Sequence, residues 1–354
     1  MISTAQTSDF CEKAIAASKP AITVEGLYAA LDTSADELGV SPMFQAIRPQ
    51  FDVHVFDHVD STSTQLWQML GNGYGAGTVA IARRQSAGRG QRGRAWQSEP
   101  GGLYLSLALE PDWPIANAAP LTCLSAWGIA TALNNLDVPV RVKWPNDLFF
   151  AGKKLGGILT ETKVAYSSAA TSQSSGGAEP SPYIKQAVVG VGINWHNPTP
   201  DTGISLVKIL ESLPGSLAET KINCLEMLSA LVLRGILQGV FFQRRVGSQV
   251  FMKEYENLLT QFKNPVSLDR KLLNRLVFKD GLLGCETHSP QTSQLKERLM
   301  MQLLNRSGEV VGVSEEGYLK VALSGTPIEW SDDGRFSTDA AKSILLFSPS
   351  ATGF

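Results

Sequence analysis

Apolar and polar residues alternate along several short stretches of the chain, and each stretch predicts a β-strand. From Val53 to Val59 the alternation is regular, and the run Asp60-Ser61-Thr62-Ser63-Thr64 then leads into an apolar pattern of helical period. The hydroxyls at this junction are suited either to capping the helix or to binding a ligand. Further strands are predicted over 78–82, 103–109, 141–144, 157–164, 187–194, 308–313, 318–323 and 344–347, and helices over 117–136, 219–244 and 249–262.

Breaks in this pattern divide the chain. Residues 167–182 are rich in serine, glycine and alanine and predict a flexible insertion, and Asn264-Pro265 marks a boundary before a small β-rich tail. The length of 354 residues, with 43% hydrophobic and 18% charged residues, suits two domains. The four cysteines show no C-x-x-C spacing, so neither a zinc site nor a disulfide framework is predicted.

Charge and hydropathy exclude some classes of function. The net charge is −2, and residues 1–50 carry three basic against six acidic side chains, which makes a poor DNA-binding arm. Leu38-Gly39-Val40-Ser41 faintly resembles the turn of a helix-turn-helix, but Pro42 crowds the helix that would follow. No signal peptide and no apolar run of membrane-spanning length are recognised, so a cytoplasmic protein without nucleic-acid or membrane partners is expected.

Positive charge is instead concentrated in one loop. Residues 83–94 hold five arginines and three glycines without a single acid. Glycines let the backbone approach a phosphate closely, and guanidinium groups supply paired donors that match phosphate oxygens. The loop is therefore predicted to clamp a phosphorylated ligand, although so short a pattern is by itself more typical of a solvated surface or a nucleic-acid contact.

Three further motifs accompany the arginine loop. Lys143-Trp144-Pro145-Asn146-Asp147 ends a strand in a proline turn that carries a carboxylate and an amide, and Lys153-Lys154-Leu155-Gly156-Gly157 follows it. In Val189-Gly190-Val191-Gly192-Ile193-Asn194 alternate glycines remove side chains from one face of a strand, which suits a ligand lying on a sheet. Trp144 and Pro145 are interpreted as structural, and His54 and His58 as too isolated for a metal site.

Four motifs together resemble those of biotin protein ligases, which use ATP to activate biotin as biotinyl-5'-adenylate and then transfer it to a lysine of an acceptor domain. They are Asp60-Ser61-Thr62, Ala87-Gly88-Arg89-Gly90 through Trp96, Lys143 through Asp147 with Lys154, and Gly190-Val191-Gly192-Ile193-Asn194. The resemblance covers about residues 53–200 closely and the tail from about residue 262 more loosely. It implies an α+β fold: a mixed β-sheet catalytic domain packed with helices, then a small SH3-like β-barrel. The expected divisions are an N-terminal extension over 1–50, a catalytic domain over 51–262 and a C-terminal domain over 263–354 with an insertion near 268–304.

The resemblance also implies roles for single residues. The biotin-binding set is Ser61, Thr62, Ser63, Gln85, Gly88, Arg89, Gly90, Gln91, Lys154, Gly157, Gly190 and Gly192. The set that binds ATP or the adenylate is Arg89, Arg92, Arg94, Trp96, Asn146, Asp147 and Asn194. Lys154, Asp147 and Arg89 are expected to be catalytic, with Asp147 taking the proton of the attacking lysine.

The implied substrates and partners are biotin, ATP with Mg²⁺, and the biotin carboxyl carrier protein of acetyl-CoA carboxylase. No protein ligands for Mg²⁺ are assigned, and both a monomer and a homodimer stay open. Two positions depart from the family pattern. Gln91 stands where many members have arginine, which puts tight retention of the adenylate in doubt, and Ser63 stands where asparagine is common.

Three alternatives remain from the sequence alone. A lipoate or octanoyl ligase or transferase shares the fold, but the arginine loop together with the 143–147 motif argues against it. A biotin-sensing transcriptional regulator would need a DNA-binding segment, which the acidic first 50 residues do not provide, so a ligase without repressor function is expected. A binding module without turnover is the third alternative, because a fold does not prove catalysis.

Overall fold

A computed structural model describes residues 22–115, 118–166, 181–214, 221–275, 297, 300–324, 329–330, 336–337 and 344–347. Of the predicted insertion at 167–182, only residues 181–182 are among the described residues. Residues 1–21 and most of the predicted insertion at 268–304 also lie outside them. Every structural statement below concerns the described ranges.

The described part of the chain contains seven α-helices and fourteen strands. The helices are α1 Val24–Leu31, α2 Thr62–Gly71, α3 Ala118–Asn134, α4 Leu206–Ser212, α5 Leu225–Val246, α6 Ser248–Leu258 and α7 Arg270–Leu273. The first eight strands are β1 Asp52–Phe56, β2 Thr78–Ala82, β3 Leu103–Leu109, β4 Trp113–Pro114, β5 Arg141–Lys143, β6 Asp147–Phe150, β7 Lys153–Tyr166 and β8 Pro182–Ile193. The later strands are β9 Pro265–Ser267, β10 Ser307–Val313, β11 Leu319–Leu323, β12 Glu329–Trp330, β13 Phe336–Ser337 and β14 Ile344–Phe347.

One eight-stranded sheet organises the first two thirds of the chain. Its strand order is β1-β2-β3-β8-β7-β6-β5, with β4 paired to β8. Strands β1 and β2 are parallel, whereas the other neighbours in the sheet are antiparallel. The predicted mixed sheet with helices, and hence the α+β class, is confirmed.

The two faces of the sheet are covered differently. Apolar residues at alternate positions of β3 and β8, such as Leu105, Leu107, Val189 and Val191, belong to the main core. The opposite face carries a small cluster in which Leu66 of α2 packs with residues including Ala80, Ala108 and Val188. Because α2 covers only part of that face, the rest of it is open to a ligand.

Helices α3 and α5 cross at close range beneath the main core. A Cβ added to Gly128 would lie 1.9 Å from the carbonyl oxygen of Gly235, and one added to Gly239 would lie 2.1 Å from that of Leu124. Only glycine lets the two backbones approach this far. The pair therefore forms a fixed base against which the sheet packs.

Residues 22–50 pack onto the same core. Leu27, Leu38 and Phe44 are buried within it. The Gln238 side chain on α5 joins this segment to the helix pair, since it accepts from the Ser41 N–H at 3.0 Å and donates to the Gly128 carbonyl at 2.7 Å. The segment contains one α-helix, α1, and a short 3₁₀ turn at Pro42–Phe44.

A separate antiparallel sheet with the order β14-β11-β10-β9 follows from Pro265. Its four strands fit the small SH3-like domain predicted for the tail. It contacts the first part of the chain through α6, where the Glu256 carboxylate accepts from the Val313 N–H at 2.6 Å. The pair β12-β13 forms a further two-stranded sheet.

Several sequence-based expectations need correction. Strand β8 begins five residues before its predicted start at 187, and helix α5 begins six residues after its predicted start at 219. Strand β7 begins at Lys153, four residues before the predicted start, because Lys153 and Lys154 pair with Phe150 and Phe149 of β6. Among the described residues, helix α5 is long and apolar enough to span a membrane by length and composition, contrary to the expectation from the sequence. However, 67% of its most apolar window is buried inside the structure, which is typical of a core helix.

Candidate active site

The register of β3, β8 and β7 places three glycines, Gly157, Gly190 and Gly192, in two rows on the open face of the large sheet. Gly190 of β8 lies opposite Ser106 of β3 and Leu159 of β7, and in the next row Gly192 lies opposite Tyr104 and Gly157. Because side chains alternate along a strand, the members of each row point to the same face. The glycines therefore leave a depression in the middle of the sheet.

A cavity of about 420 Å³ occupies this depression. It is lined by Ser61, Thr62, Ser63, Gln85, Arg89, Gly90, Gln91, Arg94, Ala95, Trp96, Gln97, Asn146, Asp147, Lys154, Gly157, Ile158, Leu159, Gly190, Val191, Gly192, Asn194, Asn197, Pro198, Pro200, Thr202 and Gly203. The volume lies in the usual range of small-molecule sites, roughly 300–1,000 Å³. All four sequence motifs contribute to one cavity.

One end of the cavity is formed by the start of α2. Ser61 is the N-cap residue of this helix, yet its side chain makes no capping hydrogen bond. The Gln85 side chain takes that role instead, since its Oε1 accepts from the Thr62 N–H at 2.8 Å, and its Nε2 donates to Ser98 Oγ at 2.7 Å. The Ser61 hydroxyl is therefore left to a ligand, and Gln85 holds the end of the helix in position.

Trp96 stands directly against the bare backbone of Gly192. A Cβ added to Gly192 would lie 2.5 Å from Trp96 Nε1 and 2.6 Å from Cε2. The indole Nε1 is buried and has no hydrogen-bond partner among the described residues. The Lys154 ammonium lies 5.2 Å from the centre of the ring. Gly192 thus makes room for a flat aromatic wall of the cavity.

A close ion pair lies beside the Trp96 ring. Lys154 Nζ donates to Asp147 Oδ1 at 2.6 Å, and both side chains are largely buried. Gly157 leaves space for them, because a Cβ there would be 3.3 Å from Asp147 Oδ1 and 3.4 Å from Lys154 Nζ. The pair brings a strong donor and a carboxylate into contact with the same cavity.

The arginine loop folds over the cavity as a short ladder. The Gly90 N–H donates to the Arg94 carbonyl at 2.7 Å, and the Trp96 N–H donates to the Gly88 carbonyl at 2.8 Å. A 3₁₀ turn at 91–93 closes the ladder, with Arg92 in the left-handed region at φ 64°. We call residues 88–96 the lid.

A bidentate ion pair fastens the lid to the sheet. Arg89 Nη1 and Nη2 donate to the two carboxylate oxygens of Glu161 on β7 at 2.9 and 2.7 Å. The Trp67 indole also donates to Glu161, at 3.3 Å. The Arg89 guanidinium is thus already paired, and its predicted contact with a phosphate would require release from Glu161.

The neighbouring arginine has unused donors. Arg92 Nε and Nη2 are buried without a hydrogen-bond partner among the described residues. Burial, and after it the charge of Arg94, lower the pKa of the Arg92 guanidinium below its ordinary value. In the preceding residue, the Gln91 Oε1 atom is likewise buried and has no hydrogen-bond partner among the described residues. Buried donors without partners are expected where a ligand binds, and an anion suits these ones.

Two predicted ligand-binding amides are already bonded within the protein. Asn146 Nδ2 donates to the Ile158 carbonyl at 2.6 Å, which fastens the 143–147 turn to β7. Asn194 Nδ2 donates to the Ile204 carbonyl at 3.3 Å, and its Oδ1 accepts from Asn197 at 3.1 Å. Both line the cavity, but their side chains already shape its wall.

The tail sheet reaches the turn through Trp144. The Trp144 indole donates to the Gly317 carbonyl at 3.1 Å, and its backbone N–H donates to Gln261 Oε1 at 2.9 Å. Tyr255 adds a hydrogen bond of 2.8 Å to the Pro145 carbonyl. The structural interpretation of Trp144 and Pro145 agrees with these contacts, which hold the residues before Asp147 in place.

The structure brings together all the predicted site residues except Gly88 and Arg92, which do not line the cavity. Gly88, the first residue of the lid, is buried, and a Cβ there would lie 2.5 Å from the Trp96 carbonyl oxygen. Sequence reasoning missed Glu161, the cavity wall at 197–203, and Ser106. The Ser106 hydroxyl contacts the Thr62 hydroxyl at the end of the cavity formed by α2. A single serine in the apolar strand 103–109, and the proline-glycine run after Asn194, were the available signals.

The chain is similar to known proteins of one family. A model of the biotin/lipoate A/B protein ligase family matches residues 55–176. The bifunctional ligase/repressor BirA of Escherichia coli is 30% identical over 246 residues, which are 66% of this chain and 69% of that protein. The biotin--[acetyl-CoA-carboxylase] ligase of Paracoccus denitrificans is 33% identical over 147 residues, 41% of this chain and 54% of that protein.

The fold has a solved counterpart. The biotin protein ligase of Aquifex aeolicus, in a structure with biotin and ATP, superposes with a TM-score of 0.51 and covers 83% of this chain and 98% of that one. Its sequence is 20% identical, so this likeness is one of fold.

Proposed function

The chain belongs to the biotin protein ligase family, and on that premise we propose that it activates biotin with ATP and transfers the biotinyl group to a lysine of biotin carboxyl carrier protein. The observation that carries the proposal is the meeting of four motifs on one cavity of about 420 Å³. A hydroxyl-lined end, a glycine floor, an aromatic wall and a basic lid surround it. This combination suits an elongated ligand with a small polar ring at one end and a phosphate at the other.

In the first step a biotin carboxylate oxygen attacks the α-phosphorus of ATP, and pyrophosphate leaves. The carboxylate is already a nucleophile at neutral pH, so this step needs positioning and neutralisation of charge more than a base. Lys154 and Arg94 are cationic side chains that line the cavity, Arg94 from the lid. When a phosphate accepts from Lys154, the Asp147 carboxylate loses its present partner.

In the second step the acceptor lysine attacks the acyl carbon, and AMP leaves as the mixed anhydride breaks. The attacking amine must lose a proton, and Asp147 is the acid among the residues that line the cavity. Release of Asp147 from Lys154 during the first step would prepare it for the second.

ATP fits the donors that the protein leaves unpaired. Arg92 Nε and Nη2 and Trp96 Nε1 are buried without partners among the described residues. No group of three His, Cys, Asp or Glu side chains that could hold a metal ion occurs in the described part of the chain. Mg²⁺ bound to the ATP phosphates would neutralise phosphate charge, and Asp147 is the carboxylate among the lining residues that could hold it. We place the reaction in the cytoplasm.

The proposal is tested by incubating the protein with ATP, Mg²⁺, biotin and a carboxyl carrier domain, and by measuring the mass of the carrier. We expect the mass increase of one biotinyl group, lost when the acceptor lysine is replaced by arginine. Lipoate in place of biotin serves as the second arm. Addition of a lipoyl group instead, or no addition from either acid, would contradict the proposal.

We predict that Asp147→Asn slows transfer from preformed biotinyl-adenylate to the carrier about a hundredfold, the usual contribution of a general base. The amide keeps the shape of the side chain but takes up no proton. Asp201→Asn is the matched control, because Asp201 is exposed in the loop that borders the cavity. Single-turnover transfer as fast as in the unmodified protein would remove Asp147 from this role.

We predict that Gln91→Arg retains the adenylate longer, with dissociation slowed about tenfold by one added charge-assisted hydrogen bond. Gln91 lines the cavity with an unpaired buried Oε1, so the lid has room for a donor that would meet the phosphate. The dissociation of labelled adenylate into excess unlabelled ligand measures the effect. Gln68→Arg is the control, because it adds the same charge at an exposed position of α2. Equal dissociation rates in the unmodified protein and both variants would contradict the prediction.

A further inference from the structure

Three hydroxyl groups meet beneath the end of the cavity formed by α2. Ser106 Oγ donates to Thr62 Oγ1 at 2.9 Å, and Ser63 Oγ lies 3.1 Å from Ser106 Oγ. Ser106 comes from β3 and is fully buried, whereas Thr62 and Ser63 line the cavity. Gly190 makes room for the group, because a Cβ there would lie 2.7 Å from Ser63 Oγ.

The two hydrogen bonds among these hydroxyls run in one direction, from donor to acceptor. A serine hydroxyl carries one proton, and Ser106 uses its proton toward Thr62. Ser63 must then be the donor in the contact with Ser106. The Thr62 proton has no acceptor among the described residues, so the chain of bonds runs from Ser63 through Ser106 to Thr62 and ends in the cavity. We call this chain the hydroxyl relay.

We propose that Ser106 is a specificity-determining residue, which acts by fixing the Thr62 hydroxyl as a donor toward the ligand. Ser106 is a positioning residue, since it lies behind Thr62 and reaches the ligand only through it. The inference deepens the proposed function and rests on it. A cyclic urea satisfies the relay, because its carbonyl oxygen is a strong acceptor.

The relay disfavours two kinds of ligand. A head group that carries a donor in place of the carbonyl would set two protons against each other. A head group without polar atoms, such as a dithiolane ring, would leave the Thr62 proton unpaired in a buried site. A site built for a hydrogen bond discriminates strongly against ligands that lack it, because its own polar group is left without a partner.

The relay is tested with a pair of ligands that differ in this one group. In 2-iminobiotin at neutral pH a protonated guanidinium replaces the urea, so a donor stands where biotin has its acceptor. We expect the unmodified protein to bind biotin at least a hundredfold more tightly than 2-iminobiotin in calorimetry. In Ser106→Ala the Thr62 hydroxyl is free to rotate, and we expect this ratio to fall at least tenfold.

Two further variants distinguish an effect of the hydroxyl relay from an effect of lost packing at a buried serine. Ser125→Ala removes another fully buried serine hydroxyl, one that donates to the Leu121 carbonyl inside α3, and it should leave the ratio unchanged. Ser63→Ala removes the first donor of the relay, so Ser106 can reverse, and the ratio should fall as in Ser106→Ala. Ser63→Ala alone decides the matter if Ser106→Ala does not fold.

The results of this test distinguish failure of the relay from failure of the proposed function. Biotin binding by the unmodified protein, with the same ligand ratio in Ser106→Ala and Ser63→Ala, would overturn the relay and leave the ligase function standing. Failure of the unmodified protein to bind biotin would overturn both. An equal fall in affinity for both ligands would assign Ser106 to packing alone and would also reject the inference.

Discussion

Replacement of Lys154 by methionine is expected to slow biotin-dependent exchange of pyrophosphate into ATP about a thousandfold, the upper range for loss of one preorganised donor. Methionine keeps an unbranched side chain of similar length but provides neither charge nor donor. The largely buried Asp147 carboxylate would lose its 2.6 Å partner as well. Negative charge that develops at the α-phosphate would then meet an unpaired carboxylate, so repulsion adds to the lost attraction.

The neighbouring lysine provides the control for this experiment. Lys153 precedes Lys154 in the same strand, but it is exposed and does not line the cavity. Lys153→Met should therefore leave the exchange rate within about twofold, since exposed charges contribute little. A similar loss in both variants would indicate an effect of total charge or of folding. Normal exchange in Lys154→Met would exclude Lys154 from the first half-reaction.

Replacement of Gly192 by alanine is expected to lower the affinity for biotinyl-adenylate about a hundredfold, through displacement of Trp96. The added Cβ would overlap Trp96 Nε1 and Cε2 at 2.5 and 2.6 Å, so the indole has to move. A ring that supports a ligand face contributes packing and stacking, and a shift of about an ångström is enough to lose much of both. Equilibrium binding of a non-hydrolysable adenylate analogue measures the change.

A double-mutant cycle identifies the cause of that loss. If the overlap with Trp96 is responsible, Gly192→Ala should cost much less affinity in a Trp96→Ala background, where the methyl group meets no ring. Gly75→Ala is the control for the substitution itself, because a Cβ at Gly75 has no heavy atom within 4 Å. Strictly additive losses from Gly192→Ala and Trp96→Ala would show that the two residues act independently.

The position of the lid is set by contacts with two parts of the large sheet. Arg89 is paired with Glu161 on β7, and the Trp96 ring lies against Gly192 on β8. Gln91, Arg92 and Arg94 lie between these two anchors. The anchors hold the backbone while the central residues keep unpaired polar atoms for the ligand. A phosphate that bound Arg92 and Arg94 would add a third anchor.

Local pattern was sufficient to predict much of the large sheet. The strands at 78–82 and 103–109 have the predicted limits, because each is a short, mainly apolar run between segments of glycine and charged residues. The start of β7 was predicted four residues late, since Lys153 and Lys154 appear as a polar turn until β6 lies beside them. Pairing between strands, rather than local propensity, decided that boundary.

The candidate site was likewise predictable only in part from the sequence. Residue types and spacing were enough to select the arginine loop, the 143–147 turn and the two glycines of β8. They did not reveal that Gln85 caps α2, that Glu161 holds Arg89, or that Asn146 and Asn194 use their amides inside the protein. Hydrogen-bonding capacity is a property of the residue type, but the partner that uses it depends on contacts between residues far apart in the chain.

The sequence by itself thus determined which chemical groups this protein brings to its ligand, because a serine, a lysine or a glycine has the same chemistry in any fold. Only the tertiary structure decided which of those groups remain free. The register of β3, β7 and β8 places Ser106 behind Thr62 and opens space at Gly192 for Trp96. The pairing of β6 with β7 brings Lys154 to Asp147. These relations join residues more than 40 positions apart or depend on neighbouring strands, so only packing of the folded chain creates them.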